Sequence, residues 1–253
     1  MAKPRPPAWA FTRRLRRGAY GWRSDPAVKS VKAAVREILA AARADPIRAA
    51  EGAALFLERV SPAIENVDGS SGSIGNAVRR GVEDLVAVIG TAEVDAEKRQ
   101  EWLERLWAAF EADEVPYIEC LGEHWGEVCA SESVASAWAD RLLERTRWAL
   151  LYEGPEWRFF DGATACLSAL HAAGRHEEVL ELAEGTDFWP YRRWAVRALA
   201  SLGRKGEAIA LAEDTPDADG RDVAQLCEEI YLSSGMREQA YRRYALHAHG
   251  RTT

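Results

Sequence analysis

The chain has 253 residues, 47% hydrophobic and 29% charged, with 33 basic side chains against 40 acidic ones and a formal net charge of −7. This composition excludes whole-chain disorder, and no charge-free stretch reaches the roughly 20 apolar residues that span a bilayer, so no membrane partner is expected. The four cysteines, Cys120, Cys129, Cys166 and Cys227, form no C-x-x-C pair and read as free thiols of a reducing compartment.

Residues 1–24 form a basic N-terminal arm. Lys3, Arg5, Arg13, Arg14, Arg16, Arg17 and Arg23 stand there without an acid, which leaves 26 basic and 40 acidic groups in the remaining 229 residues. Trp9, Phe11, Tyr20 and Trp22 are interleaved with the charges. That pattern suits nucleic acid, through phosphate neutralisation and base stacking. It equally suits an arm that lies back on its own acidic body. Thr12-Arg13-Arg14-Leu15 is followed by no apolar h-region, so no export signal is read and a cytoplasmic location is expected.

Beyond the arm, apolar residues recur at the helical period and strand alternation is missing. Val28, Val31, Val35, Ile38, Leu39 and Ala42 fall on one stripe, with Lys29, Lys32, Arg36 and Arg43 off it. Asp25-Pro26, Asp45-Pro46, Ser61-Pro62 and Thr215-Pro216 each place an N-cap residue before a proline that loses nothing in the first helical turn. Helices are expected near residues 26–44, 46–60, 74–90, 96–112, 116–129, 132–152, 160–173, 175–184, 190–202, 204–214, 219–234 and 236–248. A helical region over 25–153 and a repeat region over 154–253 follow.

Two segments invite a chemical reading. Asp68-Gly-Ser70-Ser71-Gly72-Ser73 precedes a helix bearing Arg79, and successive amides at a helix start can cradle an anion. No Lys-Ser/Thr follows and no strand precedes, so neither a Walker loop nor a dinucleotide fingerprint is present, and a capped interhelical loop explains the same residues. Residues 116–129 gather Tyr117, Glu119, Cys120, Glu123, His124, Trp125, Glu127 and Cys129. On one regular helix Cys120, His124 and Glu127 share a face while Cys129 lies about 180° away, so no four-ligand metal site is expected. An amphipathic helix with an acidic wet face explains the segment, and an enzyme site near 117–127 is the rival. No cofactor is expected. Ten tryptophans are mostly fillers between packed helices; Trp157 and Trp189, beside interhelical prolines, are the ones expected at a binding surface.

The second half repeats itself. Gly174, Gly203 and Gly235 are each followed by a basic residue within two positions and a Glu/Gln–Val/Ala pair within five. Leu170, Leu199 and Tyr231 stand four residues before them, and Cys166, Ala195 and Cys227 eight before. A helix that ends on a left-handed glycine and folds back as a second helix makes a hairpin. One hairpin cannot bury both faces, so hairpins stack. The expected fold is all-α, a right-handed α-α superhelix or TPR-like solenoid of stacked helical hairpins.

Several strings also carry a family likeness: Pro6-Pro7-Ala-Trp9-Ala-Phe11, Arg17-Gly-Ala-Tyr-Gly-Trp22, Val67-Asp-Gly-Ser-Ser-Gly72, Pro116-Tyr-Ile-Glu119 and Trp125-Gly-Glu-Val-Cys129. Ala165-Cys-Leu-Ser-Ala-Leu170 and Ala240-Tyr-Arg-Arg-Tyr-Ala245 fit it too. Through them nearly the whole chain resembles a family of uncharacterised bacterial all-helical proteins, a domain of unknown function. The resemblance implies an all-α repeat protein, assigns no site residues, and implies that this chain is a C-terminally truncated member. Tyr241, Tyr244, Ala245 and Ala248 on the last helix then predict an apolar end and self-association through it. The function expected is a protein-interaction scaffold for a basic peptide or partner protein, with Tyr117, Glu119, His124, Trp125, Glu127, Trp157 and Trp189 as its candidate surface. A nucleic-acid-associated protein using the arm is the alternative.

Overall fold

The computed structural model describes residues 8–152, 158–215 and 218–249. Among these there are helices and no strand. They run α1 (Ser24–Ala42), α2 (Pro46–Ile64), α3 (Ser73–Thr91), α4 (Ala96–Glu111), α5 (Trp125–Cys129), α6 (Glu132–Leu150) and α7 (Ala163–Ala172). There follow α8 (His176–Ala183), α9 (Trp189–Ser201), α10 (Lys205–Glu213), α11 (Gly220–Ser233), α12 (Arg237–Arg243) and α13 (Ala245–His249). Short 3-10 helices occupy Ala10–Arg13 and Glu119–His124. No described helix is long and apolar enough to cross a membrane.

The chain divides into two compact units between Ser131 and Glu132. The expected boundary at 153/154 is displaced because α6 packs on α7 and α8, so it belongs with the second half.

In the first unit α2 is the central element, in contact with α1, α3 and α4. Its Ala49, Ala50, Ala53, Ala54 and Ala63 are buried along with Phe56, Leu57, Val60 and Ile64. Short side chains let three neighbouring helices approach one rod closely. At Gly52 a Cβ would lie 2.4 Å from Trp9 Cζ2, so glycine makes the seat for that ring. Arg48 stacks over Trp9, 4.4 Å from the ring centroid, and Phe11 meets Phe56 edge-on. The backbone amides of Ala10 and Phe11 donate to the Glu37 carboxylate. Residues 9–20 are therefore part of the core: Trp9, Phe11, Leu15 and Tyr20 are buried, while Trp22 is 76% exposed. The basic side chains between them remain exposed, and Arg17 pairs with Glu65.

Polar groups finish this unit. Arg99 is buried and its guanidinium donates to the carbonyls of Ile89 (2.6 Å), Ala92 (2.6 Å) and Val128 (3.3 Å), which closes the C-terminus of α3 against the end of α5. Between α2 and α4, Arg105 binds Glu51 and Glu58 while Trp102 Nε1 donates to Glu51 at 2.7 Å. Burial pushes the Glu51 carboxyl up, but its bonds from Trp102, Arg105 and Lys98 outweigh this and hold it below its ordinary value.

Several expected boundaries shift. Asp45 caps α2 through Arg48 N, as its position before proline predicts. Pro62 starts no helix: it sits inside the last turn of α2, where Ser61 spends its hydroxyl on Asp113 and the Pro62 carbonyl accepts from Gly18 N. Arg23, not Asp25, precedes α1, and Asp219 caps α11; Pro216 lies outside the described residues.

In the second unit the three turn glycines adopt φ of 71°, 80° and 75°. Each turn carries the same paired bonds. Gly174 N donates to His171 O and Arg175 N to Leu170 O; Gly203 N to Ala200 O and Arg204 N to Leu199 O; Gly235 N to Leu232 O and Met236 N to Tyr231 O. These are Schellman caps, and they join α7 to α8, α9 to α10 and α11 to α12 as hairpins. Arg175 and Arg204, directly after their glycines, each form a two-bond pair with a glutamate three residues on, Glu178 and Glu207. The α9 helix packs on α7, α8 and α10, and α10 on α11. The expected single helix over 236–248 breaks at Tyr244, and α13 turns back on α11. Gln225 Nε2 donates to Ala248 O and His249 meets Glu228, so Tyr244 and Ala248 are buried. Of the apolar residues expected on an open end, Tyr241 alone stands out into solvent, 73% exposed.

Candidate functional site

The first helix of each hairpin ends in the same register before its glycine, and this register builds a groove in the second unit. The groove has a volume of about 370 Å³. The α9 helix contributes Arg197 and Ser201, α11 contributes Glu229 and Ser233, and His171 of α7 and Lys205 of α10 close its sides. Arg197 and Glu229 are both six residues before a turn glycine, and Ser201 and Ser233 both two before. Equivalent positions of successive hairpins thus line one cleft.

His171 anchors one side. Its Nε2 lies 3.3 Å from Ser201 Oγ, and its ring packs 4.9 Å from His176 and 5.8 Å from Trp194. Burial, then the charges of His176 and Arg197, push its pKa down to about 4, so the ring is neutral near pH 7 and offers a hydrogen bond without charge. Arg197 lies over the Trp194 ring at 5.3 Å. Charge in the cleft is mixed: Arg197, Lys205 and Glu229 share its lining with Ser201 and with Ser233, whose hydroxyl donates to Ile230 O.

The residues expected at a binding surface are not gathered by the fold. Trp125 is fully buried, with Trp107 edge-on to it at 5.3 Å, and Trp189 is buried as well, so both are core fillers. Residues 116–129 form no single helix; glycines at 122 and 126 and Pro116 leave a 3-10 turn running into the short α5. Glu119 and Glu127 are exposed, Tyr117 is half-buried, and His124 Nδ1 sits 2.9 Å from Glu127 Oε1. Cys120 is buried and so shares no open face with His124. Trp157 lies outside the described residues. Among the described residues the large aromatic side chains found exposed are Trp22, Trp148, Tyr152, Phe159, Phe188 and Tyr241 instead.

Three amides of the loop over 68–73 are taken within it. Asp68 accepts from Ser70 N at 2.9 Å, Gly72 N donates to Gly69 O, and Ser73 N reaches Ser71 Oγ, which also meets Ser73 Oγ. Asp68 thus takes the Ser70 amide, Ser71 and Ser73 meet through their hydroxyls beside Gly72, and Arg79 is exposed. Burial of Trp9, Phe11 and Tyr20 removes three of the four rings that base stacking by the arm would need.

Among the described residues no three His, Cys, Asp or Glu side chains come together as metal ligands. All four cysteines are buried free thiols. Burial pushes Cys120 and Cys129 up to about 12 and Cys166 and Cys227 up to about 11, which leaves no thiolate near neutral pH. The Asp113 carboxyl is raised by burial against bonds from Ser61, Ile118 and Tyr117, and its oxygens are spent on holding that loop to α2.

The pairs Arg197/Glu229 and Ser201/Ser233 were legible in principle from the glycine alignment, which fixes which positions correspond. Comparison with family models, with curated proteins and with solved structures gives no match for this chain.

Proposed function

We propose that residues 132–253 are a TPR-like solenoid, a right-handed stack of helical hairpins, and that the protein is a non-catalytic interaction scaffold. The cleft along α7, α9 and α11 holds a peptide or a segment of a partner protein. The observation that carries this reading is the cleft lined by equivalent positions of two successive hairpins, Arg197 with Glu229 and Ser201 with Ser233. A lining of paired hydroxyls and opposed charges suits a peptide backbone and its polar side chains.

Residues 132–253 hold 20 acidic and 15 basic side chains, which favours a basic partner by electrostatic steering. Glu229 receives a basic side chain of that partner, while Arg197 and Lys205 face an acceptor. A panel of fluorescently labelled peptides graded in net charge, titrated with the whole protein, tests this. Basic peptides are expected to bind best, and Glu229→Lys to weaken them about tenfold, a loss of ~1.4 kcal/mol, with unchanged circular dichroism. Failure of every peptide to bind, or binding indifferent to both Glu229→Lys and Arg197→Ala, defeats the reading.

A further inference from the structure

We propose that the groove between α1 and α3 in the first unit is a docking site for an acidic amphipathic helix of a partner protein. The groove has a volume of about 330 Å³. Its floor is apolar: Val35 and Leu39 stand one turn apart on α1, Ala77 and Gly81 one turn apart on α3. A Cβ on Gly81 would come 3.0 Å from Val35 Cγ2, so the two helices lie close together and glycine keeps the floor open. Two parallel rows spaced by four residues are the kind of furrow into which the ridge of a third helix packs.

The rim is basic. Lys32 and Arg36 rise from α1 and Arg80 from α3. Among the described residues none of the three has a carboxylate partner, and neither do Lys29 and Arg43 further along α1; Arg36 donates only to the carbonyl of Lys32, at 3.2 Å. Arg105, Arg175 and Arg204, by contrast, are spent on carboxylates. The two acids of α1 do not relieve the cluster. Asp25 lies in its first turn, and Glu37 is taken by the amides of Ala10 and Phe11. Unpaired like charges around an apolar floor, on a chain whose net charge is negative, call for a ligand that brings acids and apolar groups together. An amphipathic helix with acids flanking one apolar row does this. Asp84, the one acid of the lining, marks the place where that helix carries no acid.

The shape separates this occupant from two others. A membrane-surface helix presents protruding large apolar side chains. The exposed large apolar residues of the protein include none on α1 or α3, whose apolar groups are recessed. A phosphate backbone would satisfy the basic rim and leave the apolar floor without a purpose.

The site lies in the first unit, and its reading stands or falls separately from that of the repeat cleft. A phage-displayed peptide library panned against the whole protein tests it, with the Lys32→Glu/Arg36→Glu/Arg80→Glu variant as counter-target and Leu39→Ser as a second, charge-neutral variant. The enriched peptides are expected to carry acids around apolar residues at helical spacing. Their affinity is expected to fall at least tenfold in the triple variant, to fall in Leu39→Ser, and to weaken with added salt. Absence of acidic sequences from the enriched pool, or binding of acidic peptides that neither variant weakens, overturns the proposal. So does binding of phosphatidylglycerol vesicles or duplex DNA, in parallel titrations, that the triple variant abolishes while no acidic peptide binds.

Discussion

At the scale of single residues, the groups that matter most are buried polar ones whose partners are distant in sequence. Arg99 closes three backbone carbonyls from α3, the following turn and α5. Arg99→Ala leaves those acceptors without a donor and is expected to cost about 3 kcal/mol in urea unfolding, with Arg99→Lys recovering little because a single ammonium lacks the guanidinium fork. His171 makes a second prediction. Its folded pKa of about 4 lies below the ordinary 6.5, because burial and the charges of His176 and Arg197 oppose its proton. Between those values the unfolded chain binds a proton that the folded one refuses. Stability is therefore full above pH 6.5 and falls, by about 1.4 kcal/mol per unit, as pH drops toward 4. His171→Gln is expected to flatten that slope in unfolding curves measured from pH 6.5 to 5. Neither residue was legible as special, because hydropathy records that a side chain is polar and not which carbonyls or rings will surround it.

At the scale of elements, legibility followed the backbone. The hairpin turns were readable because a left-handed residue is cheap only for glycine, and Gly174, Gly203 and Gly235 recur in one register. Nothing lies within 4 Å of a Cβ placed at any of the three. Replacing each by alanine is thus expected to cost a similar, purely conformational amount, about 1 kcal/mol, by differential scanning calorimetry. Ala130 is the converse case, the one described non-glycine residue at positive φ, 62°, at the end of α5. Ala130→Gly is expected to raise stability by about 0.5–1 kcal/mol in the same measurement. The segment before it was misread as one helix because acids, a histidine and a tryptophan at helical spacing do not reveal a 3-10 turn. Pro62 was misread as a helix start because a proline preceded by serine fits a cap equally well, and the partner that decides the matter, Asp113, lies 52 residues away.

At the scale of the whole chain, the basic arm shows why composition alone misplaces a segment. Charge marked residues 1–24 as separate, but Trp9 seated on Gly52 and Phe11 on Phe56 make residues 9–20 part of the first core. The same uneven charge has an energetic consequence. Residues 1–43 hold 11 basic and 2 acidic side chains, while residues 93–127 hold 3 basic and 11 acidic. Lys29, Lys32 and Arg36 follow one another at spacings of three and four on α1, where like charges repel. Replacing Arg36 by glutamine is expected to stabilise the protein by about 0.5 kcal/mol at low salt, and the gain is expected to fade in about 1 M salt as the Debye length shrinks. Arg105→Gln, which strips Glu51 and Glu58 of their partner, is expected to destabilise at every salt concentration. Thermal unfolding of the two variants at both salt levels separates a cation that the fold tolerates from one that the fold uses. An Arg36 variant that loses stability would show that the cluster on α1 serves the first unit's own structure, and would remove the reason for seeking its counter-charges in a partner.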